Sequence, residues 1–113
     1  MPAERMRRVN VAVREVLSAR LAEGLKDPRV GFVTVTGVET SPDLRHARVY
    51  VSVLGDVEER QRTLSGLDSS HGVLQAAIAS ELRMKRTPTL EFVYDESIDR
   101  GMRISQLLDE GPG

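Results

Sequence analysis

From Ala3 to Leu25 the apolar positions Met6, Val9, Val13, Val16, Leu17, Leu21 and Leu25 recur at intervals of three and four. That is the stripe of an amphipathic helix, with Arg7, Arg14 and Ser18 on its open face. Gly24 and the following Lys26-Asp27-Pro28 stop the helix and force a turn. The pattern then changes period. Phe32 to Thr36 and Ala47 to Val53 are rich in β-branched residues and read as strands, joined through a turn at Ser41-Pro42-Asp43. In the second of them Ala47, Val49, Val51 and Val53 point one way and His46, Arg48, Tyr50 and Ser52 the other, so one face is core and the other wet.

Asp56 followed three residues later by Glu59 opens a second helix in the manner of a capping box, with Val57, Arg60 (through its stem), Leu64 and Leu67 turned inward. Val73, Leu74, Ala77, Ile78 and Leu82 form another helical stripe. The residues between these stripes are too polar and too rich in helix breakers for one uninterrupted helix, which predicts a kink at Ser70, His71 and Gly72. Arg83, Lys85 and Arg86 are expected in the last turn of the third helix, where they complement its dipole and form a compact anion-binding patch. Pro88 ends that helix, and Leu90, Phe92 and Tyr94 alternate with Glu91, Val93 and Asp95 as a final strand. Leu90, Phe92 and Tyr94 are expected to fill the helix-facing core, which leaves Tyr50 as the more exposed aromatic.

The resulting order, helix-strand-strand-helix-helix-strand plus a short terminal segment from Ser97 to Leu108, is α+β and has the topology of a type II KH-like domain. It implies a three-stranded mixed sheet with helices on one face. We expect a single domain over residues 1–108 and a disordered tail over 109–113.

Composition narrows the chemistry. A chain of 113 residues is one domain and buries roughly two thirds of its unfolded surface. The absence of cysteine excludes disulfides, thiolate metal sites and a cysteine nucleophile, and fits a reducing compartment. No apolar run approaches the ~20 residues that span a bilayer, and the N-terminus lacks a signal-peptide core; a soluble cytoplasmic protein with no membrane partner is expected. Two histidines on separate elements, without carboxylates at ligand spacing, predict no metal and no cofactor. Asp95, Ser97 and Asp99 read as capping groups, with Gly101 allowing a turn, rather than as acid and nucleophile, so no catalytic residue is assigned. The net charge of −1 conceals an uneven distribution, +3 over residues 1–30 and −3 over residues 95–113. Such a dipolar molecule binds a polyanion at one pole.

Several motifs taken together resemble one family. They are Asp27-Pro28-Arg29, Thr34-Val35-Thr36-Gly37-Val38-Glu39, the run from Asp43 to Val51, Gly55-Asp56, Leu82-Arg83, Pro88, Leu90, Phe92, and Asp95-x-Ser97-x-x-x-Gly101-Met102-Arg103 with Ile104. In this order and spacing, from Arg5 to Leu108, they resemble ribosome-binding factor A. The resemblance implies a non-enzymatic assembly factor that binds the free, maturing 30S ribosomal subunit, contacts 16S rRNA, assists its late processing and cooperates with assembly GTPases. A monomer is expected. Two departures stand out: the family's alanine-x-glycine kink is here Ser70-His71-Gly72, where serine is small enough to preserve a close helix approach, and its usual isoleucine-arginine just beyond is Leu74-Gln75.

With no Gly-x-x-Gly loop the usual KH clamp on single-stranded RNA is missing, so shape and phosphate contacts are expected to dominate. The candidate rRNA-binding residues are Arg7, Arg8, Arg14, Lys26, Arg29, Arg45, Arg83, Lys85 and Arg86, because cationic side chains, and guanidinium forks above all, match phosphate oxygens. A generic KH-like RNA binder, a small protein-protein adaptor and a hydrolase are the competing readings.

Overall fold

The computed structural model describes residues 2–97. Helix α1 (Pro2–Glu23) runs into strands β1 (Val33–Thr40) and β2 (His46–Val53); helices α2 (Val57–Ser69) and α3 (His71–Leu82) follow, then β3 (Thr89–Tyr94). The strands lie in the order β1-β2-β3, with β1–β2 antiparallel and β2–β3 parallel. This is the expected mixed three-stranded sheet. The terminal segment beyond Ser97, including Asp99 and Gly101, and the tail over 109–113 lie outside the described residues.

Each junction has a local cause. Gly24, at φ +93°, closes α1 with its amide bonded to the Leu21 carbonyl at 3.1 Å. Asp56 caps α2 by accepting the Glu59 amide at 2.9 Å. At the kink, the Ser70 amide bonds carbonyls of the last turn of α2 while its own carbonyl accepts from Leu74, so one residue serves two helices. Gly72 is exposed and a Cβ there would meet nothing within 4 Å, so no close approach is made at this glycine. The close approach is at Gly66 instead, where a Cβ would lie 2.6 Å from Val30 Cγ2 and 3.2 Å from Arg29 Cβ.

The core is one cluster. Val13 and Leu17 of α1, Leu67 of α2 and Leu74 and Ile78 of α3 bury fully against Ala47, Val49 and Val51 of the central strand. Each large apolar side chain so buried contributes roughly 1.5–3 kcal/mol relative to exposure. Asn10 fastens α1 to β1: its Oδ1 accepts from both the amide (2.9 Å) and the hydroxyl of Thr40.

Four expectations need correction. Phe32 does not open β1; it is 83% exposed, and the strand instead continues to Thr40 across a bulge at Thr36, which adds the twist that a straight five-residue strand lacks. Val57 (61% exposed) lies in the first turn of α2, where the helix has not yet reached the sheet, and Thr63, Gly66 and Leu67 form its buried face. Val73 is half exposed because Leu74 and Ile78 take the inward positions of α3. Finally, α3 stops at Leu82, so Arg83, Lys85 and Arg86 lie on the connection after the helix and not in its last turn. Of the aromatics on β3, Phe92 packs against the core and Tyr94 is half buried, its ring covered by the Arg60 guanidinium at 4.2 Å.

Candidate nucleic-acid interface

Two loops and one helix end build the site. In the β1–β2 turn the Ser41 hydroxyl donates to Asp43 Oδ1 at 2.6 Å and accepts the His46 amide at 3.0 Å, while Asp43 Oδ1 also takes the Arg45 amide at 3.0 Å. The Ser41 hydroxyl and then the Arg45 amide hold the Asp43 carboxyl below its ordinary range. Leu44, between them, is left-handed at φ 60°. The second loop begins at Arg83, also left-handed (φ 47°, ψ 39°), and ends at the buried Pro88. Gln75 Nε2 donates to the Pro88 carbonyl at 3.1 Å, and the Thr89 amide donates to the Arg45 carbonyl at 2.8 Å, so both loops are tied down and tied together.

The N-terminal part of α1 completes a cleft of about 550 Å3 lined by Arg5, Val9, Asp43, Leu44, Arg45, Arg83, Met84, Lys85 and Arg86. Five cations face one carboxylate there, +4 in all. Among the described residues none forms an ion pair with any of the five. Two of the lining residues, Leu44 and Arg83, hold a backbone conformation that L side chains adopt at a cost, and such positions gather where a local shape is required.

The nine cations singled out from the sequence do not form one surface. Arg45, Arg83, Lys85 and Arg86 come together in the cleft. Arg7 and Arg14 are seven residues apart and share the flank of α1 about 160–200° around the helix from Arg5. Arg8 points outward and pairs with Glu4 at 3.5 Å, both well exposed, a contact worth little. Lys26 and Arg29 follow the far end of α1, about 30 Å along its axis from Arg5. Arg29 is a brace: it grips Asp27 through Nε (3.0 Å) and Nη2 (2.6 Å), and Nη2 also donates to Ser69 Oγ at 2.9 Å, which ties the α1–β1 loop to the end of α2. Its guanidinium holds the Asp27 carboxyl down to about 2. Arg5 was not among the nine. The signal was its spacing of four from Val9, which puts it on the flank of α1 that meets the cleft.

The other faces are different in kind. On the open face of the sheet the Tyr50 hydroxyl donates to Glu39 Oε2 at 3.2 Å, and Arg48 pairs with Glu91 at 3.7 Å. The hollow beside them, about 480 Å3, therefore concentrates no positive potential. At the kink, His71 Nδ1 lies 2.6 Å from the Asp68 carbonyl oxygen and donates to it, a local cap. Asp95 accepts the Ser97 amide at 3.0 Å, in keeping with a capping group. Among the described residues no group of His, Asp and Glu is placed to hold a metal ion, and no helix is long and apolar enough to cross a membrane.

A family model described as ribosome-binding factor A matches residues 5–108. The chain belongs to the ribosome-binding factor A family. It is 50% identical over 107 residues to ribosome-binding factor A of Geobacter metallireducens, covering 95% of this chain and 91% of that one. The crystal structure of ribosome-binding factor A from Thermus thermophilus is similar at a TM-score of 0.68 and 30% identity, over 79% of this chain and 94% of that one. A homology model of the Thermus thermophilus ribosome binding factor A, fitted into a cryo-EM map of a 30S–RbfA complex, is similar at a TM-score of 0.62 and 32% identity, over 75% and 89% of the two chains. Against this family background, Gln75 acts here as the strut that fixes the loop carrying Lys85 and Arg86.

Proposed function

We propose that the protein binds the free, maturing 30S subunit through 16S rRNA and assists late rRNA maturation by stabilising one state of a bistable RNA element. The observation that carries this reading is the convergence of Arg5, Arg45, Arg83, Lys85 and Arg86, without internal ion-pair partners among the described residues, in a chain of the ribosome-binding factor A family. A relative fitted into a 30S complex supports the choice of partner. Phosphate contacts position such a protein on RNA, and its effect on the RNA population is bounded by its difference in affinity for the two states. On this reading the protein acts as a cytoplasmic monomer, alongside assembly GTPases, and binds without catalysing bond chemistry. Arg7, Arg8, Arg14 and Lys26 serve at most as outlying contacts.

The test is a salt titration of binding to purified 30S subunits. Five phosphate contacts at 0.7–0.9 each give a slope of about −3.5 to −4.5 in log affinity against log salt, a loss of roughly 100- to 500-fold between 50 and 200 mM. Affinity that is flat over this range refutes phosphate neutralisation as the main force.

A further inference from the structure

The cleft is more than a charged surface. Its rim is cationic, but Val9, Leu44 and Met84 supply an apolar floor, each half buried. Val9 and Met84 pack directly on the hydrophobic core. A uniform duplex backbone gains nothing from an apolar hollow, because its phosphates run along the outside and its bases are stacked inside. Floor and rim together suit a group with an apolar flat face between two negative charges. At about 550 Å3 the hollow is also of the size that receives small organic ligands.

We propose that this cleft receives one unstacked RNA nucleotide, its base lying on Val9, Leu44 and Met84 and its flanking phosphates held by the arginines and lysine of the rim. The inference rests on the reading of the protein as an rRNA-binding factor and adds to it the kind of RNA element engaged, a bulged or splayed residue. The thioether of Met84 is polarizable and favours contact with a ring, and a guanidinium plane from the rim stacks on the opposite face of the base. Asp43 is the one carboxylate in the lining, and its Oδ1 is already occupied by the Ser41 hydroxyl and the Arg45 amide. The site is preformed, since Ser41, Asp43, Gln75 and the Thr89–Arg45 bond hold its walls, and little ordering is left for binding to drive. It is also separate from the helix kink, which lies about 18 Å away at the other end of α3.

The experiment compares two RNA hairpins of equal length, one fully paired and one with a single-nucleotide bulge carrying 2-aminopurine, by fluorescence anisotropy at 150 mM salt. The bulged hairpin is expected to bind about tenfold tighter, with a change in 2-aminopurine emission on binding. Leu44→Gly removes part of the floor at a left-handed position where glycine is at ease, so it folds. It is expected to abolish most of the preference, read as the ratio of the two affinities in the same variant. Met84→Gln gives the same result through the other wall, with its melting temperature as the check on folding. Equal affinity for the two hairpins, or a preference that survives both substitutions, overturns the proposal. Either result leaves 30S binding and its salt dependence standing, whereas discrimination between hairpins without any 30S binding would uphold the cleft and refute the ribosomal reading.

Discussion

Arg83 holds a left-handed backbone at φ 47°, ψ 39° while its side chain lines the cleft, so exchanging it acts on stability and on binding through separate causes. An L residue in this conformation costs about 1–2 kcal/mol relative to the right-handed region, a cost that glycine does not bear. Glycine in turn loses about 0.5–1 kcal/mol more than alanine through the greater freedom of its unfolded chain. Arg83→Ala keeps the backbone cost and Arg83→Gly relieves it; neither retains the cation. The glycine variant is therefore expected to be more stable than the alanine variant by about 0.75 kcal/mol at the middle of these ranges (about 0–1.5 kcal/mol), or roughly 3–6 °C in Tm for a domain of this size. Both are expected to bind 30S subunits more weakly than the parent to the same degree, with the salt slope shallower by about one unit. Thermal melts by circular dichroism and a salt series of binding isotherms measure the two effects on the same samples. A glycine variant that melts at or below the alanine variant refutes the left-handed cap. Parental affinity with an unchanged slope in both refutes a phosphate contact by Arg83.

Two further predictions concern the opposite end of the molecule. Gly66→Ala is expected to destabilise by about 1–3 kcal/mol, read as a lower urea midpoint at unchanged slope, because its Cβ would stand 2.6 Å from Val30 Cγ2 in a packed contact; an unchanged midpoint would mean the 27–30 loop does not pack there. For Asp27 the folded pKa is depressed from 3.8 to about 2, so its stabilising contribution is complete above about pH 4 and disappears as pH falls towards 2. Urea titrations of the parent and Asp27→Asn should differ most at neutral pH and converge only as pH approaches 2; a constant difference would place the effect outside the Arg29–Asp27 contact.

Much of the architecture was legible because each element obeyed a single period. The central strand is the clearest case: alternate valines in β2 name the core face without knowledge of any partner strand, and all four inward residues are buried. The α1 stripe and the Gly24 stop were equally direct. The misreadings share a physical origin. A helical stripe names more apolar positions than one contact surface uses, and only the placement of a neighbour decides that Val57 and Val73 stay outside while Thr63 and Gly66 go in. β1 runs across a bulge at Thr36 and on through Gly37, where the weak strand propensity of glycine argues for an end. At the site, the loop from Arg83 to Arg86 was legible as a cationic cluster, but its left-handed start was not, because arginine carries no mark of that conformation. Which arginines of α1 join the cluster depends on the rotation of the helix. Arg5 and Arg7 are two residues apart in sequence, and only the docking of α1 puts the first in the cleft and the second on another flank. Arg29 shows the converse, a cation whose chemistry suits phosphate and whose geometry commits it to Asp27 and Ser69.

The cleft draws its walls from residue 5, from residues 43–45 and from residues 83–86, segments that neighbour one another only once β3 has inserted beside β2. β3 is the last described strand in the chain, so a nascent polypeptide has no such hollow until β3 has emerged and paired. Isolated peptides carrying the same arginines would be sticky polycations and nothing more. Ligand occupancy therefore reports completed folding, and mass action makes any RNA that fits the hollow a stabiliser of the whole domain, by an amount that grows with the logarithm of its concentration above Kd.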